Sequence, residues 1–132
     1  MSFKEKLHQA TNRNNSLVCV GLDTDPAKLP ACVQDKDNPV LYFNQQIIDA
    51  TADLVCCYKP NFAFYGALGA HGFTTLQQTM AHIPDPIPVL VDAGNAAAEP
   101  VKRWAFLALA RIGELPTASA AAADPVAGKP LH

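Results

Sequence analysis

Three short apolar runs, each closed by a charged residue, constrain this chain most. They read Leu17-Val18-Cys19-Val20-Gly21-Leu22-Asp23, Leu54-Val55-Cys56-Cys57-Tyr58-Lys59 and Val89-Leu90-Val91-Asp92. Residues apolar at successive rather than alternate positions predict strands buried on both faces, as in a parallel sheet covered by helices. The runs start at 17, 54 and 89, an interval of about 35 residues, which a strand, a crossover helix and two loops require. The pattern is β–α–β–α–β with right-handed crossovers.

The intervening segments fit that scheme. Ser2 and Glu5 have capping-box spacing, and Phe3, Leu7 and Ala10 follow at helical intervals, which predicts a helix over 3–12 and a polar turn over 12–15. Residues 24–38 read as a loop. Asn38-Pro39 resembles a helix start, and Val40, Phe43, Ile47, Ile48 and Thr51 continue it through Ala52. Pro60-Asn61 stops the second run. Gly66, Gly69 and Gly72 predict a flexible connection; they lack the Gly-Lys-Ser/Thr ending of a phosphate loop and are read as permitting turns. Residues 73–82 form a helix with Leu76 and Met80 on one face, and Pro84, Pro86 and Pro88 precede the third run. After Asp92 alanine dominates. Val101 to Ile112 predicts one helix, with Trp104 and Phe106 packing one face, and the chain beyond Leu115 predicts a disordered tail.

Composition removes several function classes. With 132 residues the chain is one domain by length, and 49% hydrophobic against 17% charged residues excludes a disordered polyelectrolyte. A net charge of −2 provides no basic field, so no nucleic acid and no membrane partner is expected. No apolar run approaches a membrane span, and Lys4, Glu5 and Lys6 stand where a signal peptide would be apolar, so the expected location is cytoplasmic. Cys19, Cys56 and Cys57 lie in apolar runs and Cys32 in a loop. None forms a Cys-x-x-Cys pair, and adjacent Cys56 and Cys57 face opposite ways, so they are read as buried structural thiols with no metal. His8, His71, His82 and His132 are scattered and read as solvated or structural. Asn14-Asn15-Ser16 matches a glycosylation pattern by chance.

Asp23, Lys59 and Asp92 would share the C-terminal edge of a parallel sheet, where α/β enzymes place their sites. Position alone leaves open solvated strand ends, a structural ion pair or a site. The local sequences narrow this. Val20-Gly21-Leu22-Asp23, Cys57-Tyr58-Lys59-Pro60-Asn61-Phe62-Ala63-Phe64-Tyr65 and Val89-Leu90-Val91-Asp92-Ala93 together resemble the orotidine 5′-phosphate decarboxylase family, in its bacterial type-2 branch with Tyr-Lys-Pro-Asn at the second strand. The resemblance covers about residues 1–98, including the loop 67–72. It implies an α/β fold in which parallel βα units form a partial (β/α)₈ TIM barrel of about three strands. The division is then 1–98 partial barrel, 99–115 helix of uncertain origin and 116–132 disordered tail.

The resemblance further implies a cofactor-free carboxy-lyase of pyrimidine biosynthesis, converting orotidine monophosphate to uridine monophosphate and CO₂, with a nucleotide monophosphate as its partner. Asp23 and Lys59 resemble the ribose-contacting substrate-binding residues. Asp92 resembles the catalytic Asp that opens the third-strand motif Asp-x-Lys-x-x-Asp. A lysine flanked by carboxylates keeps its proton, which is the physical basis of such an alternating array. This chain departs from the motif: position 94 is Gly where the proton-donor Lys belongs, and position 97 is Ala where the second Asp belongs. The simplest account is that Lys-Arg-Gly-Asp-Ile is absent between Ala93 and Gly94. A whole barrel takes about 250 residues.

Three readings follow. The first is a truncated, inactive family member. The second is a non-catalytic half-barrel fragment or interaction module. The third is nucleotide binding without turnover. Open sheet edges predict instability, aggregation or completion by another copy as a homo-oligomer.

Overall fold

The computed structural model describes residues 1–93 of the 132-residue chain. The helix expected over 101–112, the tail beyond 115, and with them the segments 99–115 and 116–132 lie outside the described residues.

Local signals set most helix starts. Ser2 and Glu5 form a capping box, with the Glu5 amide donating to Ser2 Oγ at 3.3 Å and the Ser2 amide donating to Glu5 Oε2 at 2.7 Å. The helix α1 spans Phe3–Asn14, two residues beyond its expected end, and stops where Asn15 turns left-handed at φ 45°. The Asn14 side-chain amide donates to the carbonyls of Ala52 and Val55, at 2.9 and 2.7 Å. That amide therefore ties the end of α1 to the entry of the second strand. Helix α2 spans Pro39–Thr51, with Asn38 Oδ1 accepting from the Leu41 amide at 3.1 Å and Pro39 at the first helical position.

The strands are parallel, as expected. β1 (Cys19–Gly21) pairs with β2 (Cys57–Lys59), placing Cys19 opposite Cys57, Val20 opposite Tyr58 and Gly21 opposite Lys59. The third run lies parallel on the other side of β2, through bridges Tyr58–Val89 and Asn61–Asp92. It forms two bridges rather than a continuous strand, and Pro60 explains the gap. Tyr58 N–H donates to Pro88 O at 3.1 Å, Leu90 N–H to Tyr58 O at 2.8 Å, Asp92 N–H to Pro60 O at 2.9 Å and Phe62 N–H to Asp92 O at 2.8 Å. The one missing rung is the donation from residue 60, which as proline has no N–H.

Leu22, Ile48, Val55, Tyr58, Ile83 and Ile87 form the main core cluster. Burial on both faces holds for residues 55–58 of the second run, which are all buried, but not for its first residue, Leu54, which is exposed. It fails for the first: Leu17 is 84% and Val18 55% exposed, and Cys19 is exposed as well. β1 is the edge of the described sheet, and nothing among the described residues covers its outer side. Cys19 is therefore not the buried thiol that its apolar run suggested, whereas Cys56 and Cys57 are.

The glycine segment is built rather than flexible. Asn61 caps a short helix α3 (Phe62–Gly66), and Gly69, at φ 67°, turns the chain into α4 (Ala70–His82), three residues ahead of its expected start. Gly72 sits where α4 crosses the end of α3. A Cβ there would lie 1.7 Å from the Tyr65 carbonyl oxygen, so the approach requires glycine. Gly72→Ala is expected to lower stability by about 2–3 kcal/mol through overpacking. Gly66→Ala, with nothing within 4 Å of the new Cβ, should be neutral or stabilising by up to ~1 kcal/mol. Urea denaturation of both variants checks this, and equal midpoints would contradict the packing account.

Candidate functional site

The three strand-end charges meet. Parallel pairing around β2 brings the C-terminal ends of the three runs to one edge: Lys59 and Asp92 lie within their pairings and Asp23 two residues past the end of β1. Lys59 Nζ lies 3.1 Å from Asp92 Oδ2, as a hydrogen bond, and 3.9 Å from Asp23 Oδ2. All three side chains are about a third exposed, at 32% for Lys59, 35% for Asp23 and 39% for Asp92. They are thus partly screened yet reachable from solvent.

The Asp92 hydrogen bond holds the Lys59 ammonium above its ordinary value of 10.5; partial desolvation pulls the other way, and the charges of Asp23 and Asp92 add to the rise. Lys59 is therefore a protonated cation between two carboxylates, suited to donate hydrogen bonds to hydroxyls. Deeper on the same strands, burial and then the neighbouring Cys19 push the Cys57 thiol up to about 12, which leaves it an inert thiol at neutral pH.

The sequence reading missed the support beneath this edge. Asn44 is fully buried on α2, among the apolar positions around it. Its amide donates to Tyr65 Oη at 3.0 Å and to Thr79 Oγ1 at 3.1 Å, and its carbonyl oxygen accepts from Thr24 Oγ1 at 2.5 Å. Tyr65 Oη donates in turn to the Leu22 carbonyl at 2.8 Å. Asn is a poor helix former in mid-helix, and its place among Val40, Phe43, Ile47 and Ile48 was the available signal. Among the described residues no buried side-chain polar atom lacks a partner.

Other candidates resolve simply. His82 Nε2 contacts Asp49 Oδ1 at 2.7 Å between α4 and α2, and His8 contacts Asn12 at 3.3 Å along α1. Among the described residues no group of three or more His, Cys, Asp or Glu is placed to hold a metal ion. No described helix is long and apolar enough to cross a membrane.

Comparison with known proteins converges on one enzyme. The orotidine 5′-phosphate decarboxylase of Herpetosiphon aurantiacus is 52% identical over 91 residues, covering 69% of this chain and 34% of that protein. That of Thermomicrobium roseum is 48% identical over 93 residues, covering 70% and 33%. The matched stretch is the N-terminal part of this chain. The chain thus spans about a third of the length of the curated relatives it matches. Among solved structures, Leishmania donovani OMP decarboxylase aligns at TM-score 0.63 and 28% identity, covering 85% of this chain and 41% of that one. Leishmania donovani UMP synthase aligns at 0.64 and 29%, covering 85% and 23%. No protein-family model matches the chain.

Pairing raises the folded-state pKa of Lys59, so its contribution to stability is complete below the ordinary lysine value and is lost as pH rises through the folded one. The stability gap between the parent and Lys59→Met should therefore be full at pH ~9 and shrink as the pH rises above the ordinary lysine value of 10.5. Urea midpoints of the two proteins across that range check this, and a gap independent of pH would contradict it.

Proposed function

We propose, from the similarity of this chain's N-terminal stretch to orotidine 5′-phosphate decarboxylases, that residues 1–93 carry the ribose-facing part of an orotidine-monophosphate site and that the chain as it stands does not turn substrate over. The observation that carries the reading is the Lys59 ammonium held between Asp23 and Asp92 at the common edge of parallel strands.

In this reading Asp23 and Lys59 take the ribose hydroxyls, the carboxylate accepting and the ammonium donating. Asp92 stands beside the position of the substrate carboxylate and opens the charge array. Decarboxylation breaks the bond between C6 and the carboxylate carbon, releases CO₂ and leaves the electron pair on C6. A proton must then reach that carbon. The family motif supplies it from a lysine two residues after the Asp, and here that position is Gly94. Lys59 does not stand in, because in this reading its ammonium is engaged at the ribose, between Asp92 at 3.1 Å and Asp23 at 3.9 Å. Ala97 removes the further carboxylate of the motif.

Loss of a positioned general acid alone costs about 10²–10⁴ in rate, and loss of the preorganised charges that stabilise the developing carbanion adds to it. Purified 132-residue chain incubated with orotidine monophosphate is expected to release uridine monophosphate no faster than buffer. Turnover well above buffer would contradict the proposal.

A further inference from the structure

We propose that Tyr65 and Asn44 are positioning residues for Asp23: a buried chain of hydrogen bonds holds the backbone before that carboxylate and the side chain after it, and so aims it at Lys59. The proposal deepens the reading above, on which Asp23 and Lys59 belong to one substrate-facing array.

The two ends of the chain of bonds bracket Asp23. On one side Tyr65 Oη donates to the carbonyl of Leu22; on the other Thr24 Oγ1 donates to Asn44 Oδ1. Asn44 joins the two, because its amide also donates to Tyr65 Oη, and its second N–H is taken by Thr79 Oγ1. Asn44 and Thr79 are 0% and Tyr65 1% exposed. With both amide hydrogens and the oxygen engaged, Asn44 has no alternative partner to swing towards, and a fully satisfied buried network is rigid. Burial pushes the Tyr65 hydroxyl up to about 12, so it remains a donor at neutral pH.

The network has work to do at this point of the chain. Leu22 N–H donates to Lys59 O at 3.1 Å, and β1 itself ends at Gly21, so Asp23 and Thr24 lie past the strand pairing. An aspartate on an unpaired strand end would sample many directions. The contact with Lys59, at 3.9 Å, is long enough that it does not fix the carboxylate by itself. Gly72 belongs to the same device: its close approach to the Tyr65 carbonyl sets α4 against α3, and Thr79, two turns along α4, then reaches Asn44.

Competitive acetylation of the intact chain, with Lys59 measured by mass spectrometry against exposed Lys4, reads the Lys59 environment without any nucleotide. Loss of a neighbouring carboxylate lowers the lysine's hold on its proton and speeds labelling at pH ~9. Tyr65→Phe is expected to raise Lys59 labelling about two- to threefold, to match Asp23→Asn, and to add nothing in the double variant. Should Tyr65→Phe not fold by circular dichroism, Thr24→Val carries the same test, with Thr24→Ser restoring the parental value. Ile48→Val, which loosens the core without touching the network, should leave Lys59 unchanged. Parental labelling in the folded network variants, additivity with Asp23→Asn, or an equal rise in Ile48→Val would each overturn the proposal. Because no substrate enters the assay, failure here leaves the family reading intact, and turnover by the purified chain leaves this one intact.

Discussion

One ammonium group sits between two carboxylates borne by neighbouring strand ends, and the described architecture is arranged around that contact. Asp23 and Asp92 carry like charge at the same edge, so bringing them together needs a cation between them. Lys59 supplies it because β2 is the central strand and its end lies between the other two. The parallel arrangement is therefore more than scaffolding. In an antiparallel arrangement the middle charge would lie at the opposite edge, and no array would form.

Holding that edge takes two kinds of support. Towards the third run the backbone ladder itself continues past Pro60, so Asp92 is fixed by its own amide and carbonyl. Towards the first run the ladder ends early, and buried side chains from α2, α3 and α4 take over through Asn44, Tyr65 and Thr79. The same lysine is thus approached by one carboxylate carried on paired backbone and by another carried on a side-chain network. The shorter contact, 3.1 Å to Asp92 against 3.9 Å to Asp23, falls on the side with the more direct support.

Much of this was legible in the sequence wherever the cause is local. The Ser2–Glu5 capping box, the Asn38-Pro39 helix start and the three charge-terminated runs each act within a few residues, and they appear in the structure where the residues place them. The convergence of residues 23, 59 and 92 followed from parallel topology. Features that depend on distant partners were not readable. The use of Asn44 depends on Thr24, Tyr65 and Thr79, which surround it only once three helices have packed. Gly72 reads as a flexible link until Tyr65 is seen beneath it. Leu17 and Val18 look like core, because hydropathy registers a residue's preference and not whether a neighbour is there to cover it.

The central claim is the three-way contact itself, and side-chain NMR on uniformly ¹³C,¹⁵N-labelled protein addresses it directly. A through-hydrogen-bond correlation from Lys59 Nζ to the Asp92 carboxylate carbon, together with proximity to that of Asp23, is the result this account predicts. A Lys59 ammonium that exchanges and rotates freely, with no correlation to either carboxylate, would contradict it.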